Sequence, residues 1–85
     1  MIKTMPATRR IRVAYSPIKD TYRVRIVTND NDIILRVSRW EVYNDKTKEL
    51  VAVGTYAQKM YDALQYHNVE AVFSYLQTLL YIMNL

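Results

Sequence analysis

The stretch RRIRVAYSPIKDTYRVRIV, residues 9–27, decides the fold because apolar and basic side chains alternate in it on both sides of a turn. The apolar positions are Ile11, Val13, Tyr15, Tyr22, Val24 and Ile26. The positions between them are mostly arginine: Arg10, Arg12, Ala14, Arg23 and Arg25. A period of two is typical of half-buried strands, because successive side chains point to opposite faces. Pro17 marks a turn between them, so the stretch predicts two neighbouring strands with an apolar face and an arginine-rich face.

Two further extended runs follow this hairpin. Residues 33–43, IILRVSRWEVY, are predicted as one third strand, although the parity of their apolar positions changes midway. A β-bulge near Ser38–Arg39 would reconcile the two parities. Polar turns at residues 29–32 and 44–47 flank this run, and residues 49–53 are predicted as the fourth strand. The four strands form a predicted antiparallel meander.

Beyond the fourth strand the apolar pattern takes the period of a helix. Thr55 and Gln58 fit a capping box, which predicts a first helix over about residues 56–66. Asn68 is predicted to cap a second helix over residues 69–85. Both helices are expected to pack on one face of the sheet.

The last helix carries two apolar stripes at helical spacing. The first stripe comprises Val69, Val72, Phe73, Leu76, Leu79, Leu80 and Met83, and the second Ala71, Tyr75, Thr78, Ile82 and Leu85. We expect the first stripe to fill the core. The second stripe either completes the core against the first helix or drives self-association, in which case Tyr75, Ile82 and Leu85 would line a two-fold homodimer.

The predicted fold class is α+β: a four-stranded antiparallel β-meander followed by two C-terminal helices packed on one face of the sheet. With 85 residues, we expect residues 1–9 to be a flexible N-terminal segment and residues 10–85 to form a single ββββαα domain. The apolar segment 69–85 is too polar and too short for a membrane span. The sequence has no cysteine, which suits a reducing compartment, so we expect a cytoplasmic location, the interior of a virus-infected host cell included.

The net charge of +4 is unevenly distributed along the chain. All twelve lysines and arginines lie at or before Lys59, and residues 1–25 carry seven of them against one acid. Residues 60–85 carry only Asp62 and Glu70. Such a separation predicts two surfaces with different roles.

The sequence contains no recognisable active-site motif. Its single histidine, His67, is predicted at a helix junction, and its single glycine excludes a glycine-rich phosphate loop. Asp30 and Asp32 belong to an NDND turn that supplies too few oxygens for Ca²⁺. We therefore predict a non-enzymatic protein without a metal or other cofactor.

The alternating arginines are the strongest functional indication. A guanidinium presents a planar fork that suits phosphate or carboxylate, and an exposed Trp can stack on a base. The predicted contacts with an anionic partner are Arg9, Arg10, Arg12, Arg23, Arg25, Arg36, Arg39 and Trp40. The alternative is a solvated face whose charges only discourage edge pairing.

Three functions are compatible with this charge pattern. The first is nucleic-acid binding, single-stranded or backbone-directed, through the arginine-rich sheet face. The second is a small viral or mobile-element inhibitor or adaptor that docks its basic sheet on an acidic surface of a larger host protein. The third is a structural self-assembling subunit. Salt-dependent oligonucleotide binding separates the first from the other two.

Overall fold

The computed structural model describes residues 10–27 and 32–83, which form a five-stranded antiparallel sheet followed by two helices. The strands are β1 (Arg10–Ser16), β2 (Thr21–Val27), β3 (Asp32–Val37), β4 (Glu41–Asn44) and β5 (Leu50–Val53). The helices are α1 (Thr55–Gln65) and α2 (Val69–Ile82). The strands lie in the sheet in chain order, so the predicted meander and fold class are confirmed, with five strands instead of four. The segment 1–9, predicted to be flexible, lies outside the described residues.

The predicted third strand is two strands joined by a tight turn. Val37 and Val42 are paired neighbours, and the Ser38 amide donates a hydrogen bond of 2.9 Å to the Glu41 carbonyl. A four-residue turn moves the inward side chains from odd to even positions, which accounts for the parity change. The bulge predicted in this turn is therefore wrong. The irregularity of the sheet lies instead in the β4–β5 pairing, between Val42 and Tyr43.

The predicted alternation of β1 and β2 is confirmed: alternate side chains of these strands face the core, and those between them face the opposite side of the sheet. In β2, Tyr22, Val24 and Ile26 are buried while Arg23 and Arg25 between them are exposed. α1 contacts β3, β4 and β5, and α2 contacts α1 and β5. The core between sheet and helices includes Ile11, Val13, Val24, Ile26, Leu35, Val37, Val42, Met60, Leu64, Val72, Leu76 and Leu79.

Gly54, and not Thr55, occupies the cap position of α1. The Gly54 backbone adopts φ 67° and ψ −134°, and its carbonyl accepts the first helical hydrogen bond from the Gln58 amide at 3.0 Å. Thr55 is already the first helical residue, and no side chain caps this end of the helix. The predicted capping box is therefore wrong, because the chain turns from β5 into α1 through a positive φ that glycine adopts without strain.

α2 begins as predicted at Asn68. The Asn68 side-chain oxygen accepts a hydrogen bond of 3.2 Å from the Ala71 amide, and Glu70 lies in the first turn, where the helix dipole favours an anion. His67 joins the two helices with φ 56°. This residue therefore occupies the predicted helix junction.

The first stripe of α2 faces the core. Val72, Leu76, Leu79 and Leu80 are buried, and the rest of the stripe packs against them from partly buried positions. The helix ends at Ile82, three residues before its predicted end. Within the described part of the chain, no helix has the length and apolar character needed to cross a membrane.

Candidate nucleic-acid interface

Four arginines lie on the side of the sheet that the helices leave uncovered. We call this side, with Arg12, Arg23, Arg25 and Arg36, the arginine face. Arg12 on β1 lies directly opposite Arg25 on β2, and Arg23 on β2 lies directly opposite Arg36 on β3. Directly opposed residues bring their Cβ atoms to within about 5 Å, so each pair sets two like charges side by side, an arrangement that destabilises a sheet.

The two arginine pairs form parallel rows across the strands. The first row continues from Arg12 and Arg25 to Ile34 on β3. The rows are two residues apart along β2, which is about 7 Å at the rise of an antiparallel strand. This distance is of the order of the spacing between successive phosphates in an extended nucleic-acid strand.

A carboxylate from the β4–β5 turn lies beneath the second row. Asp45 Oδ1 is 3.2 Å from Arg36 Nη2 and 3.6 Å from Lys48 Nζ, and Asp45 Oδ2 is 3.5 Å from Arg23 Nη2. Burial acts to raise the pKa of Asp45, but the charges of Arg36, Lys48 and Arg23 outweigh it and hold the pKa below its usual value. One carboxylate thus serves three cations, and the long contacts leave most guanidinium donors of this row unused.

Among the described residues, the first row contains a single ion pair, which involves Arg25 and not Arg12. Arg25 donates to Asp32 Oδ2 from Nε at 2.8 Å and also from Nη2. Arg12 is exposed and forms no ion pair with any residue in the described ranges. Among the four arginines of the face, Arg12 is therefore the one whose charge no described carboxylate offsets.

The region of the face formed by β1–β3 carries an excess of positive charge. Its cations are Arg12, Lys19, Arg23, Arg25 and Arg36, and the carboxylates within reach are Asp32 and Asp45. Glu41 belongs to the same side of the sheet but lies on β4, at the end next to Trp40. A polyanion laid across β1–β3 would therefore meet a net attractive potential.

A shallow depression of about 190 Å³ lies at the end of the arginine face nearest the β1–β2 turn. Its lining residues are Ala14, Tyr15, Ser16, Lys19, Thr21, Arg23 and Arg36. Ala14 lies opposite Arg23, and its short side chain leaves space between longer neighbours. We call this feature the Ala14 depression.

Arg39 does not join the arginine face. It lies in the β3–β4 turn, where its Nε donates to Asp20 Oδ2 at 3.0 Å and its guanidinium carbon is 5.1 Å from the centre of the Tyr61 ring. Tyr15 and Tyr61 donate to Asp20 Oδ1 at 2.6 and 2.5 Å. Asp20 is therefore a shared acceptor that connects the β1–β2 turn, the β3–β4 turn and α1.

These contacts change the proton affinity of the groups involved. Hydrogen bonds from Tyr15, Tyr61 and Arg39 lower the pKa of Asp20 to about 2. The hydrogen bond to the charged Asp20 and burial together raise the pKa of Tyr61. Asp20 is thus held as an anion, and Arg39 is held as its partner.

Exposed apolar side chains gather at this same end of the sheet. Ile18 in the β1–β2 turn is 97% exposed, and Trp40 in the β3–β4 turn and Val53 at the end of β5 are each 58% exposed. The Trp40 ring is therefore exposed at this end of the sheet, and its contact with a partner stays a prediction.

The predicted contact residues thus divide into separate groups. The structure brings together Arg12, Arg23, Arg25 and Arg36, and places Arg39 and Trp40 in the turn at the end of the sheet. Arg9 lies outside the described residues, and Arg10 begins β1 while its side chain is not described. Sequence reasoning missed Lys19, Ser16 and Thr21, whose common signal is their place beside the turn of the arginine hairpin.

The described part of the structure provides no support for a metal site at the carboxylates that were considered as Ca²⁺ ligands. Asp30 lies outside the described residues, and Asp32 pairs with Arg25. Among residues 10–27 and 32–83, no three His, Asp or Glu side chains are grouped so that they could hold a metal ion.

The second stripe of α2 is only partly uncovered. Tyr75 packs edge-on against Tyr56 of α1, with ring centres 5.4 Å apart, whereas Ile82 is 59% exposed beside Tyr81, which is 86% exposed. Leu85 lies outside the described residues. α1 therefore covers the middle of the stripe and leaves its C-terminal end open.

Comparisons with models of protein families, with curated proteins and with solved structures find no match to this chain.

Proposed function

We propose that this chain is a non-enzymatic module that binds nucleic acid, single-stranded or backbone-directed, through the arginine face. The observation that carries the proposal is that two pairs of arginines, Arg12–Arg25 and Arg23–Arg36, lie directly opposite each other on neighbouring strands of an uncovered sheet face. Each pair opposes folding of the free protein, and a row of phosphates would remove that penalty. A solvated face needs charge for solubility but does not need like charges in direct opposition.

Two further features support a polyanionic strand as the ligand. The rows are spaced like successive phosphates, and arginine binds phosphate through paired N–H donors. Trp40 at the end of the sheet offers a surface on which an unpaired base can stack. Both features are indifferent to base sequence, so we expect binding that depends weakly on sequence. We propose a cytoplasmic location, where such strands are accessible.

A salt titration tests the proposal directly. Fluorescence anisotropy with labelled single-stranded DNA, single-stranded RNA and duplex DNA should show affinity that falls linearly with salt on logarithmic axes. Four arginine–phosphate contacts predict a slope of about −3 for single strands, at about −0.7 per contact. Absence of binding to all three probes at low salt would exclude the proposal.

Matched charge reversals locate the binding surface. Arg12→Glu should weaken binding strongly and Arg12→Glu with Arg23→Glu should abolish it, while the circular dichroism spectrum stays unchanged. Lys59→Glu changes net charge by the same amount as Arg12→Glu but lies on α1, away from the arginine face. If Lys59→Glu weakens binding as much as Arg12→Glu, the effect is one of net charge and the arginine face is not the site.

Docking on an acidic protein surface is the second candidate function. The exposed apolar side chains of Ile18, Trp40 and Val53, beside the basic face, favour it because protein interfaces combine apolar anchors with a charged rim. The two candidates give different outcomes in the salt titration, since an adaptor of this type would bind oligonucleotides only weakly and only at low salt.

We also propose that the open end of α2 supports a homodimer. Ile82 and Tyr81 provide the exposed apolar area, and a two-fold dimer would place two arginine faces in one assembly. Sedimentation equilibrium should give about twice the chain mass of 10.1 kDa, and Ile82→Asp should return the monomer. A monomer mass for the unaltered chain at tens of micromolar would overturn the dimer and leave nucleic-acid binding untouched.

A further inference from the structure

We infer that the Ala14 depression is a subsite for a terminal phosphate group, a phosphate monoester at one end of a bound nucleic-acid strand. The inference rests on the proposed function, since it assigns a role to one end of the arginine face.

The depression has the size and shape of a small-anion site. Its lining combines the small side chains of Ala14, Ser16 and Thr21 with the long cationic side chains of Lys19, Arg23 and Arg36. Ser16 and Thr21 are paired neighbours across β1 and β2 at the last step of the ladder before the turn. A volume of 190 Å³ is that of about six water molecules, enough for a phosphate group with part of its hydration shell.

The donors around the depression are available to a ligand. The hydroxyls of Ser16 and Thr21 bond to no other described side chain, and Lys19 forms no ion pair within the described ranges. Arg23 contacts Asp45 only at 3.5 Å. Ammonium, guanidinium and hydroxyl groups thus face one small space, and each can donate to a phosphate oxygen.

The charge of the depression suits a dianion better than a diester. Three cations border it. Asp45, the carboxylate that pairs with Arg23 and Arg36, is also shared with Lys48, and Asp20 next to Lys19 pairs with Arg39. The first row, in comparison, sets two arginines against Asp32. A phosphate monoester carries a charge of about −1.5 to −2 near neutral pH, whereas a backbone diester carries a single charge. The stronger positive excess therefore matches the end of a strand.

The position of the depression also indicates a strand end. It lies beside the β1–β2 turn, where the sheet stops and Pro17 and Ile18 take the place of basic strand residues. A nucleic-acid strand that follows the two arginine rows would reach this turn and find no further row of arginines on the hairpin. The subsite would thus fix the polarity of the bound strand.

The test compares one short single-stranded oligonucleotide in three forms: with a 5′-phosphate, with a 3′-phosphate and with hydroxyls at both ends. We expect one of the phosphorylated forms to bind about tenfold more tightly than the hydroxyl form, as several charge-assisted hydrogen bonds would give. Equal affinity of all three forms would overturn the inference and leave the proposed function standing. Absence of binding to all three would overturn the proposed function itself.

Matched variants test whether the tighter binding of the phosphorylated form depends on the depression. Ala14→Leu fills the depression from an exposed strand position without a change in charge, and Lys19→Ala removes one cation from an exposed turn. We call the ratio of the affinity for the phosphorylated form to the affinity for the hydroxyl form the phosphate increment. Both substitutions should reduce this ratio to less than about two. Ala14→Leu should also change the affinity for the hydroxyl form by less than about twofold. Arg12→Ala should weaken the binding of all three forms by the same factor and leave the phosphate increment unchanged. An increment that survives both Ala14→Leu and Lys19→Ala would place the phosphate elsewhere.

Inorganic phosphate provides a probe that needs no nucleic acid. Titration followed by amide chemical shifts should move the signals of Ser16 and Thr21, and Ala14→Leu should suppress these shifts. Shifts at these residues without oligonucleotide binding would support the anion site and overturn its link to a strand end. Shifts spread evenly over the basic residues would overturn the site.

Discussion

Tyr61 on α1 and Asp20 in the β1–β2 turn are 41 residues apart in the chain, yet the Tyr61 hydroxyl donates a 2.5 Å hydrogen bond to Asp20 Oδ1. Through Arg39 the same carboxylate also holds the β3–β4 turn. Lys19, which borders the Ala14 depression, is the neighbour of Asp20. The helix layer on one side of the sheet is thereby connected to the turn that ends the arginine face on the other.

Protonation of Asp20 should weaken this connection. Its folded-state pKa of about 2 lies below the value of about 3.9 for an unfolded aspartate, so its contribution to stability is present above that value and is lost as the pH falls towards 2. Asp20→Asn keeps an oxygen acceptor and tolerates the backbone φ of 54°, but it removes the charge opposite Arg39. We expect the variant to have a lower free energy of unfolding at neutral pH and, between about pH 4 and about pH 2, a smaller fall in that free energy, as measured by urea denaturation.

Asp62→Asn is the matched control for this prediction. Asp62 is an exposed carboxylate on α1 that forms no ion pair with a described residue. Its substitution should leave the dependence of stability on pH as in the unaltered chain. If Asp20→Asn and Asp62→Asn show the same acid dependence, Asp20 does not stabilise the fold by its charge.

The starts of the two helices should respond differently to substitution by alanine. Gly54→Ala places a Cβ where nothing lies within 4 Å, so its cost is the backbone strain of a non-glycine residue at φ 67°, about 1–3 kcal/mol. Asn68→Ala removes a side-chain cap and should cost about 1 kcal/mol. Thr55→Ala should change the free energy of unfolding by no more than about 0.5 kcal/mol, because Thr55 caps nothing. Chemical denaturation of the three variants decides; a larger loss for Thr55→Ala than for Gly54→Ala would restore the capping box.

The hairpin of β1 and β2 could be predicted from sequence because each step is local. Alternation identifies the strands, and Pro17 identifies the turn. The β3–β4 turn changes the parity of inward residues in the same way, but Ser38, Arg39, Trp40 and Glu41 include no glycine, proline or asparagine. The parity change was the only local indication of a turn, and a bulge explains such a change equally well.

The candidate site was predictable in its cations and not in its acids. β1 and β2, which carry Arg12, Arg23 and Arg25, contain no carboxylate, so local sequence indicates an uncompensated face. Asp45 reaches Arg23 across 22 residues, through the order of strands in the sheet. Asp20 takes Arg39 away from the face across 19 residues. Contacts of this kind depend on which turns meet at each end of the sheet, which periodicity alone does not encode.

Trp40 should report and strengthen nucleic-acid binding. It is the only tryptophan, and 58% of it is exposed, so its fluorescence observes the β3–β4 turn alone. We expect single-stranded oligonucleotides to quench this fluorescence, and Trp40→Ala to weaken binding by about 1–3 kcal/mol, the range for one stacked base. Stability should change little, because an exposed side chain contributes little to the core. Unchanged fluorescence at saturation, with binding verified by anisotropy, would show that no base reaches Trp40.

Arg12→Gln should stabilise the free protein while it weakens nucleic-acid binding. Arg12 faces Arg25 directly and no described carboxylate offsets its charge, so loss of the charge relieves a repulsion of about 0.2–1 kcal/mol between opposed strand residues. Glutamine keeps a long polar side chain, which limits changes in packing. The gain in the free energy of unfolding should be visible at low salt and should vanish near 1 M salt, where the Debye length is about 3 Å.

Arg25→Gln is the matched control for this prediction. It relieves the same repulsion but also removes the ion pair with Asp32, so it should not stabilise the protein. An Arg12→Gln variant that is less stable at low salt would mean that Arg12 serves the fold, and the opposed pairs would then cease to indicate a ligand. A variant that is more stable and binds less tightly would mean that the chain retains a destabilising charge at this position because its partner is an anion.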